Sequence, residues 1–168
     1  MKYSMTLILI ILIGLSSFVS ATPGEISIGG SLRETPMQGL TGNSVLLSDY
    51  HGKPLIINVW ASYCFPCLAE MGSLERLSQR YGDQFNVIGI SIDDYRERAN
   101  EFLSKADTTF PHYIDNQLIL EKMLGANTIP LTLLIDAQSQ VLQKVRGAQE
   151  WDSPELIELI GELYEIDL

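Results

Sequence analysis

Residues 54–67, PLIINVWASYCFPC, are the stretch on which the reading of this chain turns. The first eight, Pro54 to Ala61, form a nearly unbroken apolar run, the pattern of a strand buried on both faces of a sheet. The last four, Cys64-Phe65-Pro66-Cys67, lead into a segment whose spacing predicts a helix from about Pro66 to Tyr81, and proline suits a first turn, where its missing N–H costs nothing. Two thiols at a strand-to-helix junction are suited to redox work. Cys64 lies near the helix N-terminus, where unpaired N–H groups and the macrodipole favour the thiolate. Cys67, nearly one turn on, can reach back to resolve a mixed disulfide formed on Cys64. A passive disulfide is the weaker reading, because so small a loop restricts the unfolded chain little. Half of a zinc site is weaker again: there is no second cysteine pair, and His51 and His112 stand isolated. No metal or other cofactor is expected.

Outward from this junction, strand and helix signals alternate. Ser44 to Leu47 is a short strand candidate, and Phe85 to Ile92 (FNVIGISI) a second buried strand. Asp94 with Glu97 resembles a capping box opening a helix to about Lys105, and a further helix runs from about Gln117 to Leu124, stopping at Gly125. Leu131 to Ile135 and Val141 to Val145 flank a turn and read as a hairpin. Ser153 and Pro154 cap and begin the last helix, whose many acids (Glu155, Glu158, Glu162, Glu165) read as a solvated face. The pattern predicts an α/β fold with a mixed sheet covered on both faces.

The 168 residues, 46% hydrophobic and 19% charged, suit one globular domain that needs no disulfide lattice. A net charge of −10 argues against non-specific attraction to nucleic acid or anionic membranes. Lys2, the apolar run from Leu7 to Ile13, and Val19 and Ala21 before Thr22 form an export-signal pattern. Residues 1–21 are thus expected to be a signal peptide or an uncleaved anchor, with one domain over 22–168, exported to an oxidising compartment such as the bacterial periplasm. A monomer is expected.

Glu70 is placed by arithmetic. At 100° per residue, with Cys67 at zero, it falls at about 300°, among Leu74, Leu77 and Tyr81, while Arg76, Gln79 and Arg80 fall opposite. A carboxylate so buried near a thiol pair has its proton affinity raised and can exchange a proton with Cys67, the alternative being a first-turn acid placed favourably on the macrodipole with its head reaching water past the helix end. Tyr63 and Phe65, at an exposed helix start, are expected to form an apolar rim that touches a partner protein. Trp60 is a weaker candidate for such contact, since a buried aromatic is usually core.

Gly52-Lys53-Pro54, Asn58 to Ser62, the Cys64/Cys67 pair with Pro66, Ile88 to Asp93, and Ile129-Pro130 ahead of Leu134 to Asp136 together resemble the thioredoxin superfamily, and specifically its exported TlpA-like branch, which includes the ResA and DsbE-type reductases of cytochrome c maturation. The resemblance covers roughly Leu40 to the C-terminus. It implies a thioredoxin-like fold with an N-terminal β extension and a central insertion over about Asp107 to Gly125. It also implies a Cys64–Cys67 disulfide and a cis Ile129-Pro130 bond. Pro130 would then abut the sulfurs, with the Ile129 backbone, and by extension Thr128, available to an extended substrate segment. The branch carries a glutamate where this chain has Glu70. Thioredoxin has a buried aspartate where this chain has Asn58, so that proton acceptor is missing from the strand. A peroxiredoxin would need a lone cysteine in a Pro-x-x-x-Thr/Ser-x-x-Cys setting, which this sequence lacks.

The expected activity is thiol-disulfide exchange. With no Lys, Arg or His between the cysteines, the pair reads as a reductant of exported protein disulfides, apocytochrome c among them, recharged by a membrane electron donor. A disulfide-forming oxidant and a copper-handling metallochaperone are the alternatives.

Overall fold

The computed structural model describes residues 23–168, so the expected leader over 1–21 lies outside the described residues. Its elements are β1 (Pro36–Gly39), β2 (Val45–Leu46), a 3-10 turn (Leu47–Tyr50), β3 (Leu55–Trp60), α1 (Phe65–Tyr81), β4 (Asn86–Ser91), α2 (Arg96–Ala106), β5 (His112–Ile114), α3 (Ile119–Leu124), β6 (Leu131–Ile135), β7 (Val141–Arg146) and α4 (Pro154–Tyr164). Seven strands form one mixed sheet in the order β2-β1-β5-β4-β3-β6-β7. β3, β4 and β5 run parallel, and the remaining pairings are antiparallel. Among the described residues no helix is long and apolar enough to cross a membrane.

The apolar run of β3 is explained by its central place, with all six residues buried. Ile56 and Trp60 face one core, built with Met71, Leu74 and Leu77 of α1, Phe102 of α2 and Ile160 and Tyr164 of α4. Leu55, Ile57 and Val59 face the other, against Leu120, Met123 and Leu124 of α3. The expected mixed α/β sheet covered on both faces is therefore present, and it is thioredoxin-like, with β1 and β2 as the N-terminal extension and β5 and α3 in the central insertion.

Several boundaries differ from the sequence reading. The capping box at Asp94 does not form: Tyr95 is the N-cap of α2 and makes no side-chain cap bond, because the chain stays extended one residue beyond Asp94. α3 begins at Ile119 rather than Gln117, since Leu118 adopts a left-handed conformation (φ 56°). Its free N–H groups are met from upstream by the Asp115 carboxylate, which accepts from Ile119 and Glu121 at 2.9 and 2.7 Å. Ser153 and Pro154 do start α4, the Ser153 hydroxyl accepting from Leu156 N–H.

The register aligns one row across the sheet beneath α1: His112, Gly89, Asn58 and Thr132 lie side by side on β5, β4, β3 and β6. Gly89 is what lets the row close. The Trp60 indole N–H reaches across it to His112 Nδ1 at 3.2 Å. A Cβ at position 89 would lie 2.1 Å from His112 Nδ1 and 2.8 Å from Trp60 Nε1. Both neighbours are ring atoms packed in the core, with no flexible end to yield. Gly89→Ala is therefore expected to destabilise the fold by about 1–3 kcal/mol or more, read as a lower urea midpoint at unchanged slope.

Candidate active site

The strand-to-helix junction fixes the thiols. β3 ends at Trp60, the chain turns with Cys64 N–H donating to Ala61 O at 3.0 Å, and α1 starts at Phe65 with Cys64 as its N-cap. The Cys67 N–H donates to Cys64 Sγ at 3.2 Å, so a backbone donor of the first helical turn is already aimed at that sulfur. Cys64 and Cys67 form a disulfide. Their environments are unequal. Cys67 is fully buried, whereas Cys64 keeps 7% of its surface and lines a groove of about 410 Å³ with Ser62, Tyr63, Phe65, Leu68 and residues of α2. Only one sulfur is open to an incoming partner.

Tyr63 and Phe65 flank that opening, 72% and 81% exposed, as a rim should be. Partial burial, followed by the carboxylates Asp93, Asp94 and Glu121, pushes the Tyr63 phenol above its ordinary range. Pro66 is exposed in the first turn of α1. Trp60 is different: it is wholly buried, stacked on Phe102 at 4.4 Å and bonded to His112, so it cannot touch a partner, and its place among the substrate contacts is corrected to the core. Burial pushes His112 down to about 4. The ring is neutral at pH 7, its Nδ1 accepting from Trp60 and its Nε2–H donating to Thr108 Oγ1 at 2.8 Å.

On the other side of the junction the Ile129-Pro130 bond is cis, Pro130 is buried and Ile129 half-buried, while Thr128 is exposed in the loop before them. A second groove of about 400 Å³ runs along this side, lined by Tyr63 and Ile129 with Asp93, Asp94 and Glu121. Another groove, of about 540 Å³, lies between β1, β2 and the start of α3 and is lined by no thiol.

Glu70 points inward as its helical angle requires and is 1% exposed. Its Oε1 accepts from Asn58 Nδ2 at 2.7 Å, and its Oε2 from Gln149 N–H at 3.0 Å and Trp151 Nε1 at 3.1 Å. Burial raises the proton affinity of this carboxyl above the usual range, and the three donors oppose the rise without cancelling it. The buried carboxylate absent from β3 is thus supplied by α1, lying against Asn58. Asn58 also donates to Thr132 Oγ1 at 2.9 Å, and its Oδ1 is left with no hydrogen-bond partner. The donors Gln149 and Trp151, and the acceptor Asp93, were not singled out as site residues by the sequence reading. A lone tryptophan beside an acidic run gives one signal, since a buried indole N–H needs an acceptor.

The family model for the AhpC/TSA family matches residues 28–144. The chain belongs to that family. Within it the chain is thioredoxin-like and of the TlpA-like branch. It is 28% identical over 126 residues to the thiol-disulfide oxidoreductase ResA of Bacillus thuringiensis, covering 74% of this chain and 73% of that protein. The ResA of Geobacillus kaustophilus is 26% identical over 150 residues, 88% and 86% of the two chains. A crystal structure described as thiol:disulfide interchange protein DsbE, from Chlorobium tepidum, superposes with a TM-score of 0.76 at 25% identity, covering 83% of this chain and 99% of that one. The protein is a thiol-disulfide oxidoreductase.

Because burial raises Glu70's proton affinity on folding, the native state holds that proton more tightly than the unfolded chain, and the associated stability is lost as pH rises above the ordinary glutamate range. Glu70→Gln carries no such charge, and its amide can donate to a turned Asn58 Oδ1, now unpartnered. Comparing melting temperatures from about pH 4 to 8, the variant should gain on the native protein as pH increases; parallel curves would contradict the shift.

Proposed function

We propose that the protein is an exported reductant of protein disulfides, its domain beginning at Thr22 after a leader over residues 1–21, with Cys64 attacking, Cys67 resolving and Glu70 moving the proton. The observation that carries this is the inequality of the thiols: Cys64 lines the groove and receives a helix N–H, whereas Cys67 is sealed one turn from a buried carboxylate. The Cys64 thiolate attacks one sulfur of a partner disulfide, forming a mixed disulfide as the partner's other sulfur leaves and takes a proton. Cys67, losing its proton to Glu70, then attacks Cys64 Sγ. The second partner sulfur departs and is protonated, two electrons have passed to the partner, and Cys64–Cys67 is left as the disulfide. A membrane dithiol donor of the same exchange chemistry restores the pair.

The direction rests on two features. Neither residue between the cysteines is cationic, and the ionisable group buried one turn beyond Cys67 is an acid, so little favours a strongly stabilised thiolate. Tyr63 and Phe65 supply the apolar contact with the partner, and the Ile129 backbone before cis Pro130 supports strand addition by an extended segment, with Thr128 at its exposed end. The relatives named ResA and DsbE support exchange, and the resemblance to the cytochrome c maturation branch makes an apocytochrome c disulfide the leading substrate.

Three outcomes are expected. Cys67→Ser should trap a stable mixed disulfide on Cys64 with a disulfide-bearing peptide, located by mass; trapping on the remaining thiol of Cys64→Ser instead would reverse the roles. Pro130→Ala should slow exchange at least several-fold in stopped-flow mixing with the same peptide. Equilibration with thiol buffers should place the pair near thioredoxin's potential, about −270 mV; a value near −120 mV would make it a disulfide donor.

A further inference from the structure

Asp93 closes the Ile88 to Asp93 stretch, two residues past the end of β4, yet the exchange mechanism above leaves it without a task. It is 3% exposed. Its Oδ2 accepts from the Ser62 backbone N–H at 2.9 Å and from Ser91 Oγ at 2.8 Å, and its Oδ1 accepts from Ser62 Oγ at 2.6 Å. Its own N–H donates to Ser91 Oγ at 3.1 Å, while the Ser91 hydroxyl proton goes to the carboxylate, which can only accept. Each group it meets is thus a donor, and two of them belong to Ser62, two residues before Cys64. Ile92 N–H donates to Trp60 O at 2.9 Å just beside it, so the β4 exit and the β3 exit are stitched together at this point.

We propose that Asp93 is a positioning residue for the exchange reaction: its grip on Ser62 sets the bend that delivers Cys64 to the helix N-terminus, and its negative charge at that bend opposes the helix's pull toward the thiolate, so that the pair stays reducing while the Cys64 thiolate that does form remains a strong nucleophile. The inference rests on Cys64 being the attacking thiol. Charged groups from every neighbouring element act on that sulfur as well. Arg98, Glu101 and Lys105 of α2 share the groove that Cys64 lines, Asp94 after β4 and Glu121 of α3 line the neighbouring groove at Tyr63, and Glu70 lies one turn beyond Cys67 on α1; the cations among them favour a thiolate and the carboxylates oppose it. Asp93 differs from the solvent-facing members of this set in being buried, where a charge is less screened, and in being hydrogen-bonded to the loop that carries the thiol.

The test is the pH profile of Cys64 alkylation by iodoacetamide in the dithiol protein, with the labelled peptide identified by mass, in the native protein, Asp93→Asn and Ser62→Ala. Asp93→Asn keeps the shape and an acceptor oxygen but removes the charge. It should move the profile about one pH unit lower and shift the equilibrium with a thiol buffer toward the disulfide-donating side, by about ten-fold at a pH above the midpoints of both profiles and less below them. Ser62→Ala keeps the charge and removes one donor from it, so its profile should move the opposite way. A bracing role alone would lower melting temperatures and leave both profiles in place, and coincident profiles with Cys64 still reacting first would overturn the proposal. Should Asp93→Asn fail to fold, an unmoved profile in Ser62→Ala overturns it equally. Alkylation of Cys67 before Cys64 in the native protein would overturn the assignment of the attacking thiol, and this inference with it.

Discussion

One buried carboxylate joins the parts of this molecule that have to stay in register. Glu70 comes from α1, Asn58 from β3, Thr132 is reached through Asn58 on β6, and Gln149 and Trp151 come from the loop between β7 and α4. Taking a carboxylate out of water costs several kcal/mol unless donors replace the solvent, and here three do. The same loop is sewn to α1 once more, by Ser73, whose hydroxyl accepts from Trp151 N–H at 3.0 Å. The surface pairs of Arg76 with Glu150 and Asp152 add an outer brace that is worth little by comparison. The helix bearing both cysteines is thereby held to the sheet by a polar contact that is directional, where its leucines and methionine alone would permit sliding.

The distribution of function along α1 follows from that anchorage. The first turn meets solvent, at Phe65 and Pro66; the second sulfur is fully buried; the acid sits a turn deeper. In the proposed mechanism, attack, resolution and proton storage are thus ordered by depth along a single helix. Asp93 holds Ser62 in the loop that leads into that helix, while Glu70 ties the helix itself to β3 through Asn58, so two carboxylates on different elements fix the junction.

Much of this was legible in the sequence because it depends on local period and local chemistry. The unbroken apolar run of β3, the helical angle of Glu70, and Ser153-Pro154 at the start of α4 each find their place in the structure. What was not legible depends on long-range pairing. β1 opens with proline and closes with glycine, and β5 is three residues long, so neither carries a period of its own; each exists because the other, or β4, offers hydrogen bonds. Asp94 looked like a cap by spacing alone, but the backbone does not turn until after Tyr95. Trp60 could be ranked among partner contacts only while its N–H had no visible destination, and that destination, His112, lies 52 residues further along the chain.

The Trp60, Gly89 and His112 arrangement also bears on how the family can vary. The indole occupies space that exists only because residue 89 has no side chain, and the imidazole accepts its N–H only while neutral. None of the three can be exchanged singly without a clash or a buried donor or acceptor left bare. Across related sequences these three positions should therefore drift as a set, and a descendant that gives up the glycine should have already surrendered at least the histidine.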